Sequence, residues 1–499
     1  METKKSGYSS RFALICVLIG GSVGTGNLWR FPRLVANTGG AAFIIVMTVC
    51  VFLTALPLLY VENFMGRATR HSAPGAFHDI CGKKYTCLGM FATLAYLLML
   101  AYYLVVLAWC LRYAGMSLTG GYFGVDKEAL FTSVTTADPA TIGVWVVALV
   151  LVYFGIAKQE ALEKVSSILM PCLFGRLIGL VVYALTRKGA YDGLKYSFTL
   201  NPKSLVDINI WKEALTQVAW SIGPGTMMMI TAAMVSHKDG DITLNSHVQA
   251  FGDMTVAMLG TVCVLPIIFA NALSPEAASE ICASGNNGLT FIAMTGLVEK
   301  MPGGYLMGIL FFVSLLMAGL SSNICHFMIC SLPLVDAGKD RKKSILGVFV
   351  LLLIWGLPSA WNSTFLSNQD WVAGQMMIVG VMFSCYAMIK FGVSKIRGTY
   401  LNNPYTGMKI GKWWEVSIRF IAPIIAGIMF VWWTAQCIGW EANWWNPFGV
   451  NNLGTFVFQG GLMAIIAYAM NKKVVNATPE AVVPEGELFP AVPDNGFSA

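Results

Sequence analysis

The sequence predicts an all-α integral membrane protein of twelve transmembrane helices, built as an inverted 5+5 helix repeat in which helices 1 and 6 are broken. Three observations carry this. The 499 residues are 56% hydrophobic and only 12% charged, roughly half the charge of an ordinary soluble domain. The apolar residues gather into segments of bilayer-spanning length. Two of those segments, five spans apart, are interrupted by glycine and proline.

The segments fall near residues 11–36, 41–66, 88–118, 141–157, 162–186, 211–236, 248–275, 304–336, 344–361, 370–392, 413–439 and 453–471. They divide the chain into an N-terminal segment 1–10, a core 11–392 whose repeats occupy about 11–186 and 211–392, and two peripheral helices in 413–471. The tail 473–499 is rich in Pro, Glu, Ala and Val without periodicity and reads as disordered. If the N-terminus is cytoplasmic, the inner loops collect Lys4, Lys5, Arg67, Arg70, Lys83, Lys84 and the cluster 339–343, against fewer basic residues outside. That asymmetry places both termini in the cytoplasm of a cell whose plasma membrane holds the chain. The net charge of +7 therefore reports orientation, and neither nucleic acid nor any particular protein partner is implied. Twelve cysteines occur without CxxC or Cys/His metal spacing and read as small apolar residues. The long outer connection 276–303 carries the short apolar run Leu289 to Val298 and reads either as a lid or as a passive loop.

The first span contains Gly20, Gly21, Gly24 and Gly26, and glycine weakens a helix by about 1 kcal/mol per residue. Hydrocarbon gives freed backbone groups no water, so non-helical backbone at that depth survives only against protein or a cavity. The sixth span repeats the feature at Ala219-Trp220-Ser221-Ile222-Gly223-Pro224-Gly225, where proline also removes a helix donor. An odd repeat length inverts the second repeat, so the two breaks would meet near the midplane, the usual place for ion and solute sites in carriers.

At these residues the chain resembles the neurotransmitter:sodium symporter family, as a bacterial-type member with a LeuT-like fold. The resemblance rests on Gly24-Thr25-Gly26-Asn27-Leu28-Trp29-Arg30-Phe31-Pro32, Asn37-Thr38-Gly39-Gly40-Ala41-Ala42-Phe43, Pro57-Leu58-Leu59-Tyr60-Val61-Glu62-Asn63-Phe64-Met65-Gly66-Arg67 and Ala318-Gly319-Leu320-Ser321-Ser322. It covers roughly the first 390 residues. It implies sodium-driven import by alternating access. One sodium site maps onto the carbonyls of Gly20, Val23 and Ala318 and the hydroxyls of Ser321 and Ser322. A second would use the Ser22 carbonyl, Asn27, Asn271 and a hydroxyl that here is replaced by Ala219. Chloride-dependent relatives carry a tyrosine where Met47 stands, so chloride dependence is not expected; Glu276 is a possible source of fixed negative charge.

For substrate, the resemblance implies a carboxylate received by the amides of Thr25 and Gly26 with the Tyr103 hydroxyl. Amine carriers place an acidic residue at Gly24, so glycine there favours an amino acid. The side-chain pocket would include Met99, Val218, Ser221, Ile222, Pro224, Asn323 and His326. Asn323 and His326, a turn apart, suggest a polar substrate side chain or a pH-sensitive step; a histidine satisfied between helices is the alternative. Arg30 and Asp370 correspond to an outer gating pair and Lys5 and Asp336 to an inner one, with Tyr8 packed beside it. Glu62 is expected to accept from freed amides of the sixth span. The expectation is therefore a sodium-coupled amino-acid symporter rather than an enzyme. A sodium-dependent amine or other small-solute carrier, and a sensor that binds without transport, are the alternatives.

Overall fold

Helices begin where short polar side chains can cap them. In the computed structural model, which describes residues 8–157, 161–283, 285 and 288–492, Ser10 Oγ accepts from the Ala13 amide at 3.1 Å and starts α1 (Arg11–Ser22). After the first break come α2 (Gly26–Asn37), α3 (Ala41–Thr69), α4 (Ala73–Cys81), α5 (Lys83–Thr119), α6 (Pro139–Ala157) and α7 (Ala161–Leu185). The second half opens with α8 (Ile208–Ser221) and α9 (Met228–Met234), followed by α10 (Ile242–Asn271) and α11 (Gly304–Asp336). It closes with α12 (Arg341–Trp361), α13 (Ser363–Phe391), α14 (Trp413–Gly439) and α15 (Leu453–Ala477). Asp241 caps α10 through the amides of Thr243 and Leu244, at 2.9 and 3.0 Å, and Asn362 caps α13 in the same way.

Among the described residues ten helices are long and apolar enough to cross a membrane, and α1 with α2, bent by 55°, makes an eleventh crossing. Neither α8 nor α9 is long enough alone. They flank a non-helical stretch from Ile222 to Met227, which is why the sixth segment escapes a search for continuous helices. The long helices α5 and α11 lie side by side, α2 packs on α10 and α9 on α3, so each broken pair is enclosed by unbroken helices. Exposed Ile, Leu, Val, Phe and Trp side chains are frequent on α12, α14 and α15, as expected of surfaces facing lipid rather than water.

The connection after α10 folds as two helical turns, Pro275–Ala283 and Met294–Lys300, around Phe291. That ring is fully buried, stacked on Phe131 at 5.7 Å and edge-on to Trp29 at 5.8 Å. The connection therefore covers the ends of α2 and α5 instead of hanging free.

At the opposite end the structure departs from the tail expectation. Helix α15 continues to Ala477, and Phe489 is 1% exposed, lying under the Arg67 guanidinium at 5.2 Å. The Arg70 Nε donates to the Pro490 carbonyl at 3.0 Å, while its Nη1 donates to the carbonyls of Met234 and Ser236 at the end of α9, at 3.0 and 2.7 Å. Composition alone misses this docking because it rests on two local contacts, Phe489 under Arg67 and the Pro490 carbonyl on Arg70. Residues 493–499 of the expected disordered stretch lie outside the described residues.

Candidate functional site

The first break frees carbonyls and amides that side chains from other helices then take up. Gly24 N–H donates to Asn27 Oδ1 at 2.9 Å, and Thr25 N–H donates to the Tyr103 hydroxyl at 3.2 Å. A Cβ at Gly24 would stand 2.7 Å from that hydroxyl, so only glycine fits. In the second break Gly223, Gly225 and even Met227 take positive φ values of 70°, 83° and 66°, a conformation costly for methionine. Buried Glu62 accepts from the amides of Gly225 at 2.6 Å and Met229 at 3.0 Å, while Gln249 Nε2 donates to the Ile222 carbonyl at 3.1 Å.

This geometry gives an expected result. Glu62→Ala orphans two buried amides and should destabilise the fold by about 1–3 kcal/mol for each. Glu62→Gln keeps one acceptor oxygen and should lose less. Melting temperatures in detergent would order the proteins as wild type, Glu62→Gln, Glu62→Ala; three equal values would contradict the capping role.

The breaks meet at one carboxylate. Asn27 Nδ2 donates to Asp253 Oδ1 at 2.8 Å, and Ser221 Oγ donates to Asp253 Oδ2 at 2.7 Å, joining α2, α8 and α10. Sequence reasoning missed Asp253 and assigned this place to Asn271. In the structure Asn271 sits at the far end of α10, donating within its own helix to the Ile267 carbonyl at 2.8 Å. Eighteen residues of helix separate the two, roughly 27 Å at 1.5 Å per residue. The signal was available, since a lone carboxylate inside a span is expensive and marks function. Glu276, considered as a source of fixed negative charge, is exposed at the start of the connection after α10, whereas Asp253 lies buried between the two breaks. Ala219 lines the same cavity without offering an oxygen, and Met47 is fully buried.

Behind the first break, Ser321 Oγ is buried with no partner in the protein, and a side chain on Gly20 would collide with it. This orphan hydroxyl thus faces the last turn of α1, and oxygens of this kind, hydroxyl and carbonyl at a half-helix end, suit a hard monovalent cation. Ser322 Oγ lies beside it, 3.4 Å from the Tyr103 hydroxyl and 3.1 Å from the Gly319 carbonyl. Among the described residues no three His, Cys, Asp or Glu side chains cluster as a metal site.

A cavity of about 820 Å³ runs along both breaks. Gly24, Thr25, Gly26, Met99, Tyr103, Val218, Ser221, Ile222, Pro224, Ser322 and His326 all line it, as do Ser22 and Asn27. Asn323 does not. It is fully buried and donates to the Gly319 carbonyl at 2.7 Å, which corrects its placement in the pocket. Three residues of helix leave Asn323 and His326 about 60° apart, enough to turn one away from the cavity that the other faces.

Arg30 and Asp370 both line the cavity without bridging it. Arg30 Nη2 lies 4.0 Å from Glu213, a residue the sequence reading passed over, and Asp370 is engaged by the Tyr102 hydroxyl. Before α1 the N-terminal segment is tied down, with Ser9 N–H and Oγ donating to Glu163 at 3.0 and 2.5 Å and His237 Nε2 bonding the Tyr8 carbonyl at 2.9 Å. Tyr8 is buried there. Asp336 accepts from the Ser72 amide at 2.6 Å and so caps α4; Lys5, its expected partner, lies outside the described residues.

Paired broken helices, a buried orphan hydroxyl beside the first break and a cavity running along both breaks are the features of a membrane carrier. The chain matches the sodium:neurotransmitter symporter family over residues 5–123 and 130–476, and it belongs to that family. It is similar to an uncharacterised sodium-dependent transporter of Methanocaldococcus jannaschii, 27% identical over 443 residues covering 85% of this chain and 89% of the relative. A sodium- and chloride-dependent betaine transporter of Caenorhabditis elegans is 22% identical, covering 94% and 88%. Among solved structures it is similar to MhsT crystallised with L-phenylalanine, with a TM-score of 0.73, 25% identity, and coverage of 86% of this chain and 99% of that one.

Proposed function

We propose that the chain is a symporter that couples inward sodium movement to import of an amino acid across the plasma membrane by alternating access. The observation that carries this is Ser321 Oγ, buried and unpartnered against Gly20 in the last turn of α1, where the Gly24 N–H that would serve the Gly20 carbonyl is turned to Asn27 instead. One sodium is held there by Gly20, Val23, Ala318, Ser321 and Ser322. A second is held between Asn27 and Asp253 with the Ser22 carbonyl, the carboxylate replacing the hydroxyl missing at Ala219. Each sodium moved inward contributes about 2.3 kcal/mol per 100 mV beyond its concentration gradient. Because Asp253 brings a carboxylate to Asn27 and Ser221, chloride is not required.

The substrate brings its own carboxylate. No acidic side chain fits at Gly24, 2.7 Å from the Tyr103 hydroxyl, while the start of α2 presents amides and a positive helix end. The end of the cavity lined by Arg30 and Asp370 faces outside, and substrate binding draws that pair together. Twelve crossings, with repeats at 11–186 and 211–392 and both termini inside, agree with the basic loops. A thermal-shift screen of the common amino acids, glycine betaine and monoamines, each with sodium or potassium, tests the reading. Stabilisation by at least one amino acid in sodium alone is expected. Stabilisation by monoamines only, or equally in potassium, would refute it.

A further inference from the structure

The inner floor of the cavity holds a polar group that neither the sodium sites nor the carboxylate end uses. In an unbroken helix the Thr25 N–H would donate to the Gly21 carbonyl; here it donates to Tyr103 at 3.2 Å. The His326 ring takes its place, with one nitrogen turned to the Gly21 backbone. A neutral imidazole that has committed its single N–H keeps its other nitrogen as an acceptor. That nitrogen, Nδ1, has no partner in the protein, and the side chain is only 8% exposed while lining the cavity.

The surroundings limit what can reach it. Tyr96 stands edge-on to His326 at 5.2 Å and Tyr103 is tilted against it at 5.9 Å, while Met99 and Pro224 line the same space. The Tyr96 hydroxyl is already engaged by Thr226. The floor is thus a flat, mostly apolar slot with one unused acceptor. Tyr103 links the two ends, because its hydroxyl meets the Thr25 amide at 3.2 Å and its ring lies 5.9 Å from that of His326. Rings on two sides, with Met99 and Pro224, make a lining that suits a planar aromatic side chain.

Resting on the amino-acid reading above, we propose that His326 selects substrate: the chain carries aromatic amino acids whose ring ends in a hydrogen-bond donor, a phenol O–H or an indole N–H, which Nδ1 accepts. Burying Nδ1 against a bare ring leaves it unpaired, so the hydrocarbon isostere is rejected.

Binding of matched pairs in sodium tests this: tyrosine against phenylalanine, and tryptophan against its benzothiophene isostere. The wild type should favour the donor-bearing member of each pair by about tenfold or more. His326→Phe should bring both ratios to within roughly threefold while keeping sodium-stimulated phenylalanine binding, and His326→Gln, which retains an acceptor, should keep part of the preference. Equal wild-type affinities within the pairs, or a preference that survives His326→Phe, would overturn the proposal. If aliphatic amino acids bind in sodium and aromatic ones do not, His326 selectivity falls and the symporter reading stands. If no amino acid binds in sodium, both fall. Should His326→Phe not fold, the two wild-type ratios decide alone.

Discussion

Replacing Ser321 and Ser322 together by alanine should abolish sodium-stimulated uptake while leaving the sodium-free protein folded. The asymmetry follows from the partners each hydroxyl has. Ser321 Oγ bonds nothing in the protein, so removing it costs the empty fold little and relieves a buried unsatisfied group. A sodium ion loses two of its oxygens, and if each contributes about 1.4 kcal/mol the half-saturating sodium concentration rises about a hundredfold. Ser322→Ala alone also removes the 3.1 and 3.4 Å contacts to Gly319 and Tyr103, so it should lower sodium-free stability more than Ser321→Ala. A merely structural Ser321 predicts the reverse: Ser321→Ala would melt earlier without sodium and titrate sodium normally.

Asp253→Asn should be nearly as severe. The carboxylate receives Asn27 Nδ2 and Ser221 Oγ at 2.8 and 2.7 Å, and hydrogen bonds to a charged group contribute about 1.5–3 kcal/mol each. The amide keeps the shape and can still accept from Asn27 through its oxygen, but it loses the charge and turns its N–H₂ to the Ser221 hydroxyl, which must then accept. Sodium titration of substrate binding should shift by tenfold or more, and Asp253→Ala, which leaves the Asn27 amide only the backbone carbonyl of residue 253 at 3.1 Å, by more still. An unchanged sodium midpoint in Asp253→Asn would remove the carboxylate from the ion path and leave it as a tie between α2, α8 and α10.

How much of this is legible beforehand depends on whether backbone or side-chain register decides it. The two breaks can be read from sequence because Gly20, Gly24, Gly223, Pro224 and Gly225 act through backbone rules that hold wherever they occur. Glu62 is legible for the same reason, since a carboxylate within a span needs donors and the nearest free ones are the amides of a broken helix. Asn271 and Asp253 differ only in which turn of α10 faces the site, and apolar periodicity does not fix that in a helix buried on most sides. Arg30 is a gating candidate through the resemblance, yet its 4.0 Å approach to Glu213 depends on how α2 and α8 sit against each other, which no local pattern in the sequence specifies. The tail was hidden because its docking depends on Phe489 meeting Arg67 across more than four hundred residues.

The central claim, that sodium drives solute across the membrane, is tested most directly in proteoliposomes. The measurement is accumulation of the best-stabilising amino acid under an inward sodium gradient, with an equal potassium gradient as control. Internal concentration should rise above the bath under sodium and fall back when the gradient is collapsed. Binding without accumulation, or equal accumulation under potassium, would contradict it.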